Sequence, residues 1–310
     1  MSDLAEKFRS PVVPGSPSQK TATRVAVAAR PAPVPLAQRI EQEIRAGRVE
    51  LPVLPQVAIE VQQLMDREAD ITSLVKAIER EPAVAAALIK YANAAVYAGL
   101  RDVTDLHQAL LRLGLDSVRQ AVLSISAKGA FETNDPNQRR LYQTIWLHSL
   151  TTAIAARRLA ALVSVAPETA FLAGLMHDIG RIVVLRGITA LRKRDPQSFL
   201  VPAHTVREFT DALHCPIGDV LCHEWNIPAE LRDAIARHHE PVLSEPKDTL
   251  AAVVQVADLM AAKVGASLHP DPTLTLLGRP SVQLLGLDDV RLAALLIDLE
   301  DEREQLVTIF

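Results

Sequence analysis

The chain has 310 residues, 49% of them hydrophobic, 23% charged and only 4% aromatic, enough to bury a sizeable core in one large or two ordinary domains. Lysine plus arginine (33) against aspartate plus glutamate (37) gives a formal net charge of -4. That balance argues against nucleic acid as a partner recruited by a global basic field. Two cysteines cannot build a disulfide framework, and no apolar run approaches the roughly 18 residues of a membrane span. The start, MSDLAEKFRS, lacks the basic-then-apolar pattern of a secretory signal. The expectation is a cytoplasmic protein without membrane contact. The Ala/Leu-rich, aromatic-poor composition favours helices.

Residues 1–35 hold Pro11, Pro14, Pro17, Pro31, Pro33 and Pro35, with five basic side chains against Asp3 and Glu6. Proline fixes the backbone and removes donors, so this stretch reads as a disordered arm. From Leu36 helix signals follow closely. Pro55 precedes apolar residues at helical spacing (Val57, Val61, Leu64, Met65), and Asp70 is placed to cap a helix showing Ile71, Leu74, Val75 and Ile78. Pro82 opens another helix. Thr104 is placed to cap DLHQALLRLG, which Gly114 ends. About six short helices thus make an N-terminal lobe over 36–130.

The polar segment FETNDPNQRR (131–140) reads as a boundary. Helices are then predicted at about 140–163, 167–178, 203–213, 216–226, 229–239 and 248–264, giving a second lobe over 140–265. Residues 266–310 read as a loop followed by an amphipathic helix from about Asp288 to Val307. No alternating strand pattern appears. The expected fold is all-α, a two-lobed helical bundle.

Seven of the nine histidines lie between His148 and His239. Two clusters stand out: Met176-His177-Asp178-Ile179-Gly180-Arg181 at the end of an apolar helix, and Arg237-His238-His239-Glu240 at the end of another. Imidazole and carboxylate together suit first-row divalent metals, and a carboxylate can bridge two ions. Neighbours in sequence point about 100° apart on a helix, so each pair serves one site at its rim or two ions. A buried hydrogen-bonded pair is the plainer alternative for His177 and Asp178, and a charged helix cap is that for His238 and His239. His107, His204, His223 and His269 read as surface residues. Cys215 and Cys222, about 10 Å apart on one helix, are beyond disulfide reach and read as incidental. Arg157-Arg158 and Arg139-Arg140 read as solvated helix ends.

Several separate segments, in order and spacing, resemble the HDOD family: Leu51-Pro-Val-Leu-Pro55, Glu81-Pro82-Ala-Val-Ala, Leu111-Arg-Leu-Gly114-Leu, Trp146-Leu-His148-Ser and Ala173-Gly-Leu-Met-His177-Asp178-Ile-Gly180. The pattern continues through His214-Cys-Pro-Ile-Gly218-Asp-Val-Leu221, Trp225-Asn-Ile-Pro228, His238-His239 and Val256-Ala-Asp258, and covers roughly 45–265. The family is related to the HD metal-dependent phosphohydrolases, including the HD-GYP phosphodiesterases. The second lobe is accordingly HD-like. In those relatives a histidine one helix before the His-Asp doublet, the doublet itself, a later histidine, a histidine pair and a final aspartate hold two metals. The resemblance carries those roles to His148, His177, Asp178, His214, His238, His239 and Asp258. A pair of iron, manganese or zinc ions is the implied cofactor. Two departures stand out. The relatives' lysine after Ile-Gly is Arg181 here, a planar fork in place of a point donor, and a phosphate contact is its implied role. No GYP-type loop follows Glu240.

Two functions follow from the resemblance. The preferred one is a non-catalytic signalling output module that regulates a partner protein, gated by a metal or a nucleotide in the HD-like site. Its arm and last helix would serve partner contacts or self-association. The alternative is a metal-dependent phosphohydrolase or phosphodiesterase. A third reading, DNA binding through Thr104–Leu123, is opposed by Asp102, Asp105 and Asp116.

Overall fold

The computed structural model describes residues 36–94, 102–195 and 203–307. The proline-rich arm expected at 1–35 lies outside them. Every regular element among the described residues is helical, so the all-α expectation holds. The first six helices are α1 (Leu36–Arg45), α2 (Gln56–Asp66), α3 (Ile71–Glu79), α4 (Pro82–Ala92), α5 (Leu106–Leu113) and α6 (Leu115–Ala127). After a 3-10 turn at Lys128–Phe131 come α7 (Arg139–Ala160), α8 (Pro167–Met176), α9 (Ile179–Arg194), α10 (Ala203–Glu224), α11 (Ala229–Arg237) and α12 (Thr249–Lys263). The short α13 (Pro280–Leu284), in what reads as a loop, and the long α14 (Asp289–Val307) complete the order. No helix among the described residues is long and apolar enough to cross a membrane.

Local chemistry accounts for most helix ends. Asp70 accepts a hydrogen bond from the Ser73 amide at 2.7 Å and caps α3. The cap of α5 is Asp105, which accepts from the Gln108 amide at 2.9 Å, one residue later than Thr104. Gly114, at φ +76°, ends α5 and begins α6, a conformation that glycine adopts without a Cβ penalty.

Two expectations are corrected by packing. Helix α9 does not appear in the sequence reading, because its opening stretch is rich in β-branched residues and glycine, which are poor helix formers. Tertiary burial overrides that preference: every residue from 170 to 185 is buried. The helices expected at 203–213 and 216–226 are one helix, α10, with Pro216 inside it. An interior proline costs about 3 kcal/mol, and here the helix is held along its length by α9 and α11. The α9–α10 approach is so close that a Cβ on Gly180 would collide with the His214 carbonyl oxygen.

Helix α7 is the central element, buried at every position from His148 to Arg157. It packs on α8, α12 and α14. Small residues allow the closest of these contacts, since a Cβ on Gly174 of α8 would stand 2.8 Å from Ala153 Cα. One cluster of buried apolar side chains runs from Leu54 through Phe171 to Leu299. Trp225 joins it at the end of α10 and donates its indole N–H to the Pro52 carbonyl at 3.1 Å.

Candidate metal centre

Four helices and one helix junction bring the predicted residues together. His148 comes from the middle of α7, and His177 and Asp178 form the two-residue junction of α8 and α9. His214 comes from α10, His238 and His239 from the end of α11, and Asp258 from α12. His148, His177, Asp178, His214 and His238 are each at most 3% exposed. Asp258 is half-buried and His239 is exposed.

The backbone aims the rings. His148 Nδ1 donates to the Ala266 carbonyl (2.9 Å), His177 Nδ1 to Gly174 (2.7 Å) and His238 Nδ1 to Ile235 (2.8 Å). His214 Nδ1 lies 2.9 and 2.8 Å from the carbonyls of Thr210 and Asp211. A carbonyl only accepts, so each Nδ1 carries a proton and each neutral ring turns an Nε2 lone pair inward. Those lone pairs meet. His148 and His177 stand 3.2 Å apart at Nε2, and His214 and His238 3.4 Å.

Asp178 lies between the two imidazole pairs. Its Oδ2 is 3.4 Å from His148 Nε2 and 3.7 Å from His177 Nε2, while its Oδ1 is 3.3 Å from His214 Nε2. Among the described residues no hydrogen-bond donor reaches Oδ1. Asp258 Oδ1 is 3.1 Å from His148 Nε2. The His239 ring is 5.1 Å from that of His214 and 4.1 Å from that of His238, centre to centre.

Burial lowers the proton affinity of His177, His214 (to about 4) and His238. Burial also opposes a charge on His148, but the Asp258 hydrogen bond and the Asp178 charge outweigh it and raise its pKa. Burial acts against the Asp178 and Asp258 carboxylates in turn. Arg181 and the imidazoles hold Asp178 well below its usual range, and His148 does the same for Asp258.

Three residues take parts in the centre that the sequence reading did not assign to them. Arg181 is 6% exposed and donates from Nε to Asp178 Oδ2 at 2.7 Å, while its Nη1 pairs with Asp211. Its guanidinium is therefore already held by two carboxylates. Asp211 sits three residues before His214 on α10, on the same face, and its other oxygen is 3.2 Å from His269 Nε2. Helical spacing from His214 is the signal that would have found it. Cys215, read as incidental, places Sγ 3.3 Å from His214 Nε2, and burial pushes its thiol up to about 12. His107, His204, His223 and His269 are exposed, as expected.

The donor set fits divalent ions. Two nitrogen ligands of one tetrahedral zinc stand about 3.4 Å apart, close to the 3.2 and 3.4 Å seen here. Facing lone pairs and an orphaned carboxylate oxygen are costly in an apolar interior unless a proton or cation lies among them. Within the centre, ligand atoms of His148, His177 and Asp178 lie within 4.8 Å of one another, and so do those of His214, Cys215, His238 and His239.

The family model of the HDOD domain matches residues 51–241, well over half of the chain. This chain belongs to the HDOD family. Asp258 lies beyond the matched segment and joins the centre through α12 alone. Solved structures agree on the fold of this HDOD chain. An HDOD domain protein of unknown function from Geobacter sulfurreducens aligns with a TM-score of 0.66 at 21% identity, covering 88% of this chain and 98% of that one. A Shewanella amazonensis protein, named as a proposed metal-dependent phosphohydrolase, aligns at 0.69 with 21% identity over 87% and 97%. Ribonuclease Y of Acholeplasma laidlawii is 29% identical over 160 residues, which are 51% of this chain and 24% of that enzyme. The chain spans less than half the length of the curated relatives it matches first.

Proposed function

We propose that this HDOD chain is a cytoplasmic signalling module that acts on a protein partner according to whether divalent metal occupies its His/Asp centre. The observation that carries this reading is the set of four buried imidazoles, each anchored at Nδ1 by a carbonyl, whose Nε2 atoms meet in two pairs on either side of Asp178. His148, His177, Asp178 and Asp258 would hold one ion, and Asp178, His214, His238 and His239 a second. Burial favours regulation over turnover, because only His239 of the seven is exposed. Four helices and a junction contribute to the centre, so an ion held there changes how strongly α7, the α8–α9 junction, α10, α11 and α12 are tied. A partner bound across those helices would read that change. A nucleotide competing for the same site is the alternative gate.

Elemental analysis of protein purified without chelator or affinity metal tests this. About two equivalents of iron, manganese or zinc per chain are expected, with a raised melting temperature on metal addition. Protein that holds no metal and does not respond to added metal would sink the proposal.

One observation favours a second reading, metal-dependent phosphohydrolysis: Asp178 directs one oxygen to each imidazole pair, as a bridging ligand does. Ions held there would polarise a phosphate oxygen and lower the pKa of bound water. A phosphate that reached Arg181 would compete with Asp178 and Asp211 for its guanidinium. Hydrolysis of bis(p-nitrophenyl) phosphate by the metal-loaded protein, lost in Asp178→Asn, would establish this reading.

A further inference from the structure

The two halves of the centre differ chemically. Around His148 and His177 the other donors are carboxylate oxygens from Asp178 and Asp258. Around His214 and His238 the additional donors are the exposed His239 ring and the Cys215 sulfur. Cys215 Sγ lies 3.3 Å from His214 Nε2. A nitrogen and a sulfur bound to one tetrahedral zinc stand about 3.6 Å apart, within a few tenths of an ångström of that separation. Asp178 Oδ1, buried and without a hydrogen-bond donor, is turned towards the same half.

We propose that Cys215 is a metal ligand of the second half and that, with His214, His238 and His239, it makes a His3Cys donor set there, beside the shared Asp178 oxygen, for a thiophilic ion such as zinc. This rests on the metal-binding reading above and deepens it. The first half, with two nitrogens and two carboxylates, suits iron or manganese, because carboxylate oxygen favours harder ions and thiolate softer ones. The two halves therefore select different ions. On binding, the Cys215 S–H bond breaks, sulfur keeps the electron pair as it bonds to the metal, and the proton leaves to solvent. Cys222, the other cysteine, is wholly buried in the apolar core and takes no part.

Cobalt(II) titration of the chelator-treated full-length protein, kept anaerobic, tests the assignment. Visible ligand-field bands report that cobalt is bound. A near-ultraviolet sulfur-to-cobalt charge-transfer band reports that sulfur is a ligand. The expected result is both in the wild type, with the charge-transfer band lost in Cys215→Ala and kept in Cys222→Ala. Zinc should bind the Cys215→Ala protein about tenfold or more weakly at this half. Ligand-field bands without charge transfer in the wild type would overturn the Cys215 assignment and leave the metal-binding reading intact. So would a charge-transfer band that persists in Cys215→Ala. No cobalt spectrum at all would overturn both. The wild-type spectrum decides even if a variant fails to fold.

Discussion

Two buried polar clusters share the central helix of this HDOD chain and differ in one respect. In the first, Arg157 of α7 donates to the Tyr91 hydroxyl at 3.0 Å, and that hydroxyl donates to Glu168 Oε2 at 2.6 Å. Arg157 also lies 5.0 Å from the centre of the Phe171 ring. Its one cation and one anion are linked through the Tyr91 hydroxyl, and it joins α4, α7 and α8. In the second, about two and a half turns earlier on the same helix, His148 opens a cluster whose lone pairs converge on one another. The core of each is buried, so burial alone does not separate structure from function here. What separates them is whether each acceptor has met a donor. In the first cluster the Tyr91 hydroxyl and Glu168 Oε2 have each met a donor, and the second is complete only with protons or cations added.

The largest effect that tests this contrast is on stability. Arg157→Ala leaves Glu168 buried without its cation and should cost about 3–5 kcal/mol, read by denaturant unfolding. The folded fraction should keep its full metal content. Arg157→Met combined with Glu168→Gln removes both charges and should recover most of the loss. If the single variant instead stripped the metal, the two clusters would be energetically one.

Acid should act on the second cluster. His214 takes its proton near pH 4 in the folded protein and near 6.5 when unfolded, and His177 and His238 are lowered as well. As pH falls below 6.5 the unfolded state gains protons that the folded state refuses, so stability declines until about pH 4. His214 alone contributes roughly 3 kcal/mol to that decline. His148, whose pKa is raised, works in the opposite sense and offsets part of it. Asp178 and Asp258, both lowered, add their loss only below the ordinary carboxylate range. Urea unfolding of metal-free protein between pH 7.5 and 4 should show this slope. A flat profile would mean that the imidazoles are solvated in the folded state.

The centre was legible in the sequence to the extent that its donors recur at family spacing. His148, His177, Asp178, His214, His238, His239 and Asp258 are separated by up to 110 residues and meet because α7 to α12 pack around them. Asp70 and Gly114 announced their helix ends through capping and positive-φ chemistry, which act locally. What was missed depends on contacts that a linear reading does not contain. Helix α9 and the passage of α10 through Pro216 are imposed by burial against local preference. Arg157, read as a solvated helix end, is 4% exposed because α4 and α8 supply Tyr91 and Glu168 to receive it. Cys215 looked incidental because only the fold brings His238 to its side.

The smallest expected change in stability tests the outer edge of the second cluster. Asp211 is 38% exposed at its side chain and holds Arg181 from the solvent side, while Asp178 holds it from within. Asp211→Asn keeps the shape and removes the charge, and a partly exposed ion pair is worth about 1 kcal/mol or less. The guanidinium then has one full counterion instead of two and draws more strongly on Asp178 Oδ2, the oxygen nearest His148. A carboxylate that shares more of its electron density with a cation binds a metal less well, so affinity should fall about tenfold. Isothermal titration with manganese and urea unfolding, run on the same preparation, separate the two effects. Weaker metal binding at nearly unchanged stability would make Asp211 a positioning residue of the centre. A loss of stability with unchanged affinity would place it with Arg157 and Glu168, as part of the scaffold.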